Sequence, residues 1–164
     1  CKELFENHDE RPTNSFLYSL VMDTYSFGYS SSGFTDMPMN HKVFLARFDA
    51  IKKLASEGPC VMVGRCADYA LSEYKDCFSV FVHADTDWRI NRLSQKHNKT
   101  AKEAKDMINK TDKSRSSYYN YYTNKKWGAA SSYNLCVDSS KLGIDGAAKA
   151  IIQAIEIFDS IKNK

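Results

Sequence analysis

Paired cysteines, long apolar runs and a strong charge of either sign are all missing from this chain, and glycine and proline are sparse. Its 164 residues hold five cysteines, seven glycines and three prolines. Five is odd, and no two cysteines fall in a CxxC spacing, so neither a disulfide framework nor a zinc site has support. Cys60 and Cys136 sit in apolar runs and read as buried, reduced side chains, which suits a reducing, cytoplasmic setting. No apolar run nears the ~18 residues of a membrane helix, and there is no signal-peptide pattern. A membrane is therefore not an expected partner. With 23 basic and 20 acidic residues, the net charge is +3, a weak field for capturing a polyanion. Nucleic acid is not an expected partner either. Internal repeats and low-complexity linkers are absent, and the length suits one domain, 1–164.

Apolar residues make up 43% and aromatic residues 13%, enough to bury a core without staples. Three short runs read as strands: Cys60–Val63, Phe78–Val82 and Tyr133–Asp138. They are rich in Val, Phe or Tyr and lie close to turn residues. Between them fall helical patterns. Val43 to Ala55 carries apolar residues at helical spacing and stops at Gly58. Asp85 looks like a cap for a helix bearing Trp88, Ile90 and Leu93. Thr100 to Glu103 is a capping-box pattern opening a long polar helix, and Ile144 to Ile161 is amphipathic. Strands alternating with helices predict an α/β fold, a mainly parallel sheet with helices on both faces. The segment 14–40 turns from apolar to Ser-, Gly- and aromatic-rich, and is either a substrate flap or a surface loop.

Arginine is scarce: Arg11, Arg47, Arg65, Arg89, Arg92 and Arg115 are all the chain holds. A planar guanidinium is favoured where phosphate or carboxylate must be gripped. Arg65 follows the first expected strand, at the edge where open α/β sheets bind ligands. There it either grips a phosphate or base edge, or pairs with Asp68 or Glu73. Arg89 and Arg92 share a helical face, facing a phosphate or forming pairs such as Asp85–Arg89. Asp112 and Arg115 form either a surface ion pair or part of a mobile helical arm. Tyr118 to Tyr122, with Lys125 to Gly128, offers either base stacking or core packing. None of the four histidines forms a nucleophilic arrangement. A GxxxxGK[ST] phosphate loop is absent, and the residues between Gly58 and Gly64 read as a strand.

The run Gly64-Arg65-Cys66-Ala67-Asp68-Tyr69-Ala70-Leu71 resembles the cytidylate kinase-like family. The order of later pieces is similar too: His83 to Arg92 with its spaced arginines, Asp112 to Tyr119 like a lid helix, Tyr121 to Gly128, and Asp138 to Asp145. The resemblance runs from about Val43 to the C-terminus. It implies a three-layer P-loop NTPase-like fold with a helical lid at 98–128 and a substrate flap at 14–40. It also implies nucleotide substrates, with ATP-dependent phosphoryl transfer to CMP or dCMP and Mg²⁺ as the accompanying ion. By position, Arg65 and Arg115 would recognise the base and Asp112 the ribose. Arg92, with Arg89, would face the phosphates, and Arg92 and Arg115 would be the catalytic pair. Two alternatives stand beside this reading: a non-catalytic nucleotide- or protein-binding module of the same fold, and a single-strand nucleic-acid-binding domain. The family's first strand, phosphate loop and following helix are expected before Cys1. Cys66 stands where cytidylate kinases have an acidic residue, and Ile108 where an Arg is expected.

Overall fold

The computed structural model describes residues 39–162. The expected flap lies outside them, apart from its last two positions. In chain order the elements are helix α1 (Met39–Glu57), short helix α2 (Ala67–Ala70), strand β1 (Val80–His83), α3 (Thr86–His97), α4 (Ala101–Thr123), a 3₁₀ turn (Ala130–Ser132), β2 (Leu135–Asp138) and α5 (Ser139–Lys162). The described residues form two compact units. One comprises 39–75 with 114–126, and the other 76–113 with 127–162.

In the first unit, α1 buries the apolar face that its periodicity predicts, through Phe44, Leu45 and Ile51. The tyrosine-rich end of α4 supplies the facing surface. The Phe44 and Tyr122 rings stack with centroids 4.0 Å apart and planes 8° apart, and Tyr118 meets Phe44 edge-on at 6.4 Å. Phe44 is 2% exposed and Tyr122 1%. Burial pushes the Tyr122 phenol up. Tyr118, Tyr119 and Tyr122 are thus core residues, as aromatic area favours, while Tyr121 is half-buried. α2 packs on α1, with Phe48 edge-on to Tyr69 at 6.1 Å.

In the second unit, β1 and β2 pair in parallel, with Val80 opposite Leu135 and Val82 opposite Val137. A parallel pair needs a long crossover, and α3 and α4 occupy it. Side chains alternate across the sheet, so Val80, Val82, Leu135 and Val137 share a face. α5 packs on these strands, with the Phe78 and Phe158 rings 5.1 Å apart. Phe81, on the opposite face, meets Trp127 at 5.3 Å and Tyr133 at 5.0 Å. Gly128 has φ 76°, and a Cβ added there would stand 3.2 Å from Phe81 Cζ, so any larger residue would press on that ring. Gly143, at φ 69°, breaks α5 just before the amphipathic stretch starting at Ile144.

One expected strand is corrected. Cys60–Val63 pairs with nothing among the described residues, and Val61 and Val63 are 94% and 90% exposed. Strand-like composition records a preference for a half-buried pleated surface. A run becomes a strand only when a neighbour takes its backbone hydrogen bonds. Cys60, expected in the core, is exposed for the same reason. The described residues are therefore mostly helical, with a two-stranded parallel sheet in the second unit in place of the expected full three-layer sheet.

The stack makes a clear demand on stability. Phe44→Ala is expected to cost about 3–5 kcal/mol, the usual range for deleting a buried aromatic ring, measured by denaturant unfolding of the purified protein.

Candidate functional site

The polar residues singled out in the sequence fall in both units, and each unit positions its own. In the first, Gly64, Arg65 and Cys66 have φ of 71°, 58° and 57°: three consecutive left-handed residues. Only the glycine adopts this conformation freely. For the other two, it costs roughly 1–2 kcal/mol each. The turn feeds directly into α2, with Ala67 N–H donating to the Gly64 carbonyl at 3.1 Å and Ala70 N–H to that of Cys66 at 2.9 Å. It leaves Arg65 exposed while Cys66 is buried. Strained backbone of this kind concentrates where a side chain must be aimed, and the side chain aimed outward here is Arg65.

Asp68, two residues beyond Cys66, accepts a 2.6 Å hydrogen bond from the Tyr119 hydroxyl of α4. Tyr119 lies one helical turn beyond Arg115, so this bond ties the element bearing Arg115 to the element bearing Arg65. The link is not evident in the sequence, where Tyr119 reads as one of several clustered tyrosines. Its only trace is the four-residue spacing from Arg115, which places both on one helical face.

In the second unit, Arg89 of α3 and Asp112 of α4 form a two-pronged ion pair. Nη1 donates to Oδ2 at 2.7 Å and Nη2 to Oδ1 at 2.8 Å. The intrahelical Asp85–Arg89 side-chain pair is replaced, because Asp85 takes Lys141 at 2.8 Å. Arg92 is exposed, with its guanidinium carbon 5.3 Å from the Trp88 ring centroid, within cation–π range.

The carboxyl ends of β1 and β2 are joined by a polar network. Ser139 Oγ donates to the His83 carbonyl at 2.9 Å, and Asp85 N–H donates to Ser140 Oγ at 3.1 Å. Ser140 donates to Asp138 Oδ1 from Oγ at 2.5 Å and from N–H at 2.9 Å. The Ser140 hydroxyl bond is the main reason the Asp138 carboxyl is held below its ordinary range. Among the described residues, no three His, Cys, Asp or Glu side chains gather as a metal cluster, and no helix is long and apolar enough to cross a membrane.

A model of the cytidylate kinase-like family matches residues 1–141. The chain belongs to the cytidylate kinase-like family. The match includes the Gly64–Cys66 turn and the helices bearing Arg89, Arg92, Asp112 and Arg115. The crystal structure of an uncharacterized protein from Eubacterium ventriosum ATCC 27560 is similar, with 32% identity and a TM-score of 0.69 over 72% of this chain and 74% of that one. No curated protein matches the chain significantly.

Two positions depart from the pattern that the family resemblance implies. Ile108, where an Arg is expected, is buried. Cys66, where an acidic residue is expected, is also buried, and desolvation pushes its thiol up to about 12. It is therefore a neutral packing group at physiological pH.

Two measurements check this geometry. Timed alkylation followed by mass spectrometry should label exposed Cys60 in the native protein and spare Cys66 until denaturant is added. Arg65→Gly relieves a left-handed side chain, and its free energy of unfolding should match or exceed the parent's, by up to about 1 kcal/mol. A clear loss of stability would show that the turn is not strained.

Proposed function

We propose that this protein transfers the γ-phosphoryl group of ATP to CMP or dCMP, giving ADP and the nucleoside diphosphate. The observation that carries the reading is family membership across residues 1–141. The strained, outward-facing Arg65 turn and the spaced arginines of α3 and α4 support it. Phosphoryl transfer needs positioned donors and neutralised charge more than covalent chemistry by the protein, and arginines on separate elements supply both.

In this proposal Arg65 and Arg115 hold the base, Asp112 the ribose, and Arg92 with Arg89 the phosphates. Arg92 and Arg115 are assigned to the transferring group. ATP is the donor and Mg²⁺ its accompanying ion. Residues 39–162 do not by themselves fit as their holder: the chain has no GxxxxGK[ST] loop, and the described carboxylates form no metal cluster. No step is assigned through the metal.

A second reading, a nucleotide-binding module without turnover, is favoured by one observation. Ile108 and Cys66 are both buried and uncharged, which removes two charges that the family pattern would bring to the acceptor. A module that only binds can dispense with them.

A coupled ADP-release assay on the full-length protein, run across the common nucleoside monophosphates, separates the readings. Turnover is expected with CMP or dCMP. Arg115→Ala should lower kcat by roughly 10²-fold or more, the scale for losing a charged donor to a transition state. Arg65→Ala should chiefly raise the acceptor KM. Nucleotide binding without turnover, in a protein with an intact phosphate loop, would favour the binding module.

A further inference from the structure

Three consecutive left-handed residues persist only where their surroundings over-determine them. Something beyond Gly64, Arg65 and Cys66 must therefore hold their turn. On its N-terminal side, Cys60–Val63 joins no strand among the described residues, and Val61 and Val63 stand open to water. On its C-terminal side, the turn runs straight into α2. That helix is a single turn, Ala67–Ala70, far shorter than a helix that is stable alone. Ala67, Ala70 and Leu71 seat its apolar side, and Tyr69 meets Phe48 edge-on. Apolar burial is non-directional, so this seating holds α2 in place without setting its rotation.

The Tyr119 hydroxyl on Asp68 supplies the missing direction. Among the described residues it is the one side-chain hydrogen bond between α2 and another element. At 2.6 Å it has the length of a hydroxyl donating to a carboxylate, a bond roughly twice as strong as a neutral one. Tyr119 is buried and Asp68 half-buried, so water competes weakly for either group. The post is firm, because the neighbouring Tyr118 and Tyr122 are packed on Phe44. Asp68 stands three residues from Arg65, and a phenol satisfies its carboxylate without setting a second cation beside that arginine. Arg115 lies about 6 Å earlier along α4, on the same helical face as Tyr119. The bond thus sets the Arg65 turn against the stretch of α4 that bears Arg115.

We propose that Tyr119 and Asp68 are positioning residues for Arg65: their hydrogen bond locks the Gly64–Cys66 turn in its left-handed form, so that the guanidinium is in place before an acceptor nucleotide arrives. The inference rests on the nucleotide-acceptor reading above and adds two residues to which that reading gives no task. Apparent affinity for the acceptor then follows the fraction of molecules whose turn is locked. If loosening leaves about a tenth of them locked, affinity falls about tenfold.

Two readouts on the full-length protein test it. Tyr119→Phe removes the hydroxyl and keeps the ring in the core, and Asp68→Ala removes the other end. Circular dichroism and the thermal midpoint establish that each variant folds. The first readout needs no nucleotide: hydrogen exchange at the Ala67 and Ala70 amides, which bond back to Gly64 and Cys66, should run at least about tenfold faster in either variant. The second is calorimetric titration with CMP, or with the common nucleoside monophosphate that the parent binds best. Either variant should bind it about tenfold more weakly, with ATP affinity unchanged. Asp68→Asn, which keeps an oxygen for the phenol, should stay within about threefold of the parent. Added to Arg65→Ala, Tyr119→Phe should cost less than about twofold more, because it acts through the arginine already removed. A merely structural role would weaken ATP as well and add in full to Arg65→Ala. Unchanged exchange at Ala67 and Ala70 overturns the lock. Unchanged acceptor affinity, or a full additive loss on Arg65→Ala, overturns the positioning role and leaves the acceptor reading standing. If Tyr119→Phe does not fold, Asp68→Ala decides both readouts. A parent that binds none of the common nucleoside monophosphates defeats the acceptor reading, and this role with it.

Discussion

The face-to-face stack of Phe44 on Tyr122 is the contact on which the first unit depends. The two rings meet at 4.0 Å and are almost wholly removed from water; Phe48, Tyr118 and Tyr121 pack edge-on or tilted around them, and Tyr69 packs edge-on to Phe48. Rings of this size dominate the free energy of a small core. The stack fixes the tyrosine-rich end of α4 against α1, and that in turn fixes where the polar residues on the same stretch of α4 stand. Tyr119 can then reach Asp68 with its hydroxyl, so an aromatic core sets up a polar contact next to the strained Arg65 turn.

The other half of α4 is held differently. Residues 101–113 belong to the second unit, where Ala104 and Ile108 are buried and the Arg89–Asp112 clasp stays partly open to water. A partly exposed ion pair contributes little to stability by itself.

Much of this was legible in the sequence. The periodicity of Val43 to Ala55, the Thr100–Glu103 box and the apolar stretch from Ile144 each correspond to an observed helix. The runs at Phe78 and Tyr133 correspond to a parallel strand pair. These are local signals, set by spacing and side-chain type. The failures concern partners. Cys60–Val63 has strand composition but no neighbouring strand among the described residues. Asp85 precedes α3 as expected, yet its carboxylate pairs with Lys141 instead of capping the helix. Asp68–Tyr119 and Arg89–Asp112 join residues 51 and 23 positions apart, and periodicity carries no information about which distant side chains meet. The arginines worth attention were visible from their scarcity, but their contacts were not.

The proposed acceptor of this chain is a nucleoside monophosphate. The most direct test is to follow backbone amide resonances of the isotope-labelled full-length protein as CMP is added. Saturable shifts are expected at Gly64–Cys66, Arg89–Arg92 and Thr111–Arg115. Shifts confined to α1 or the outer face of α5, or no shifts at millimolar CMP, would contradict it.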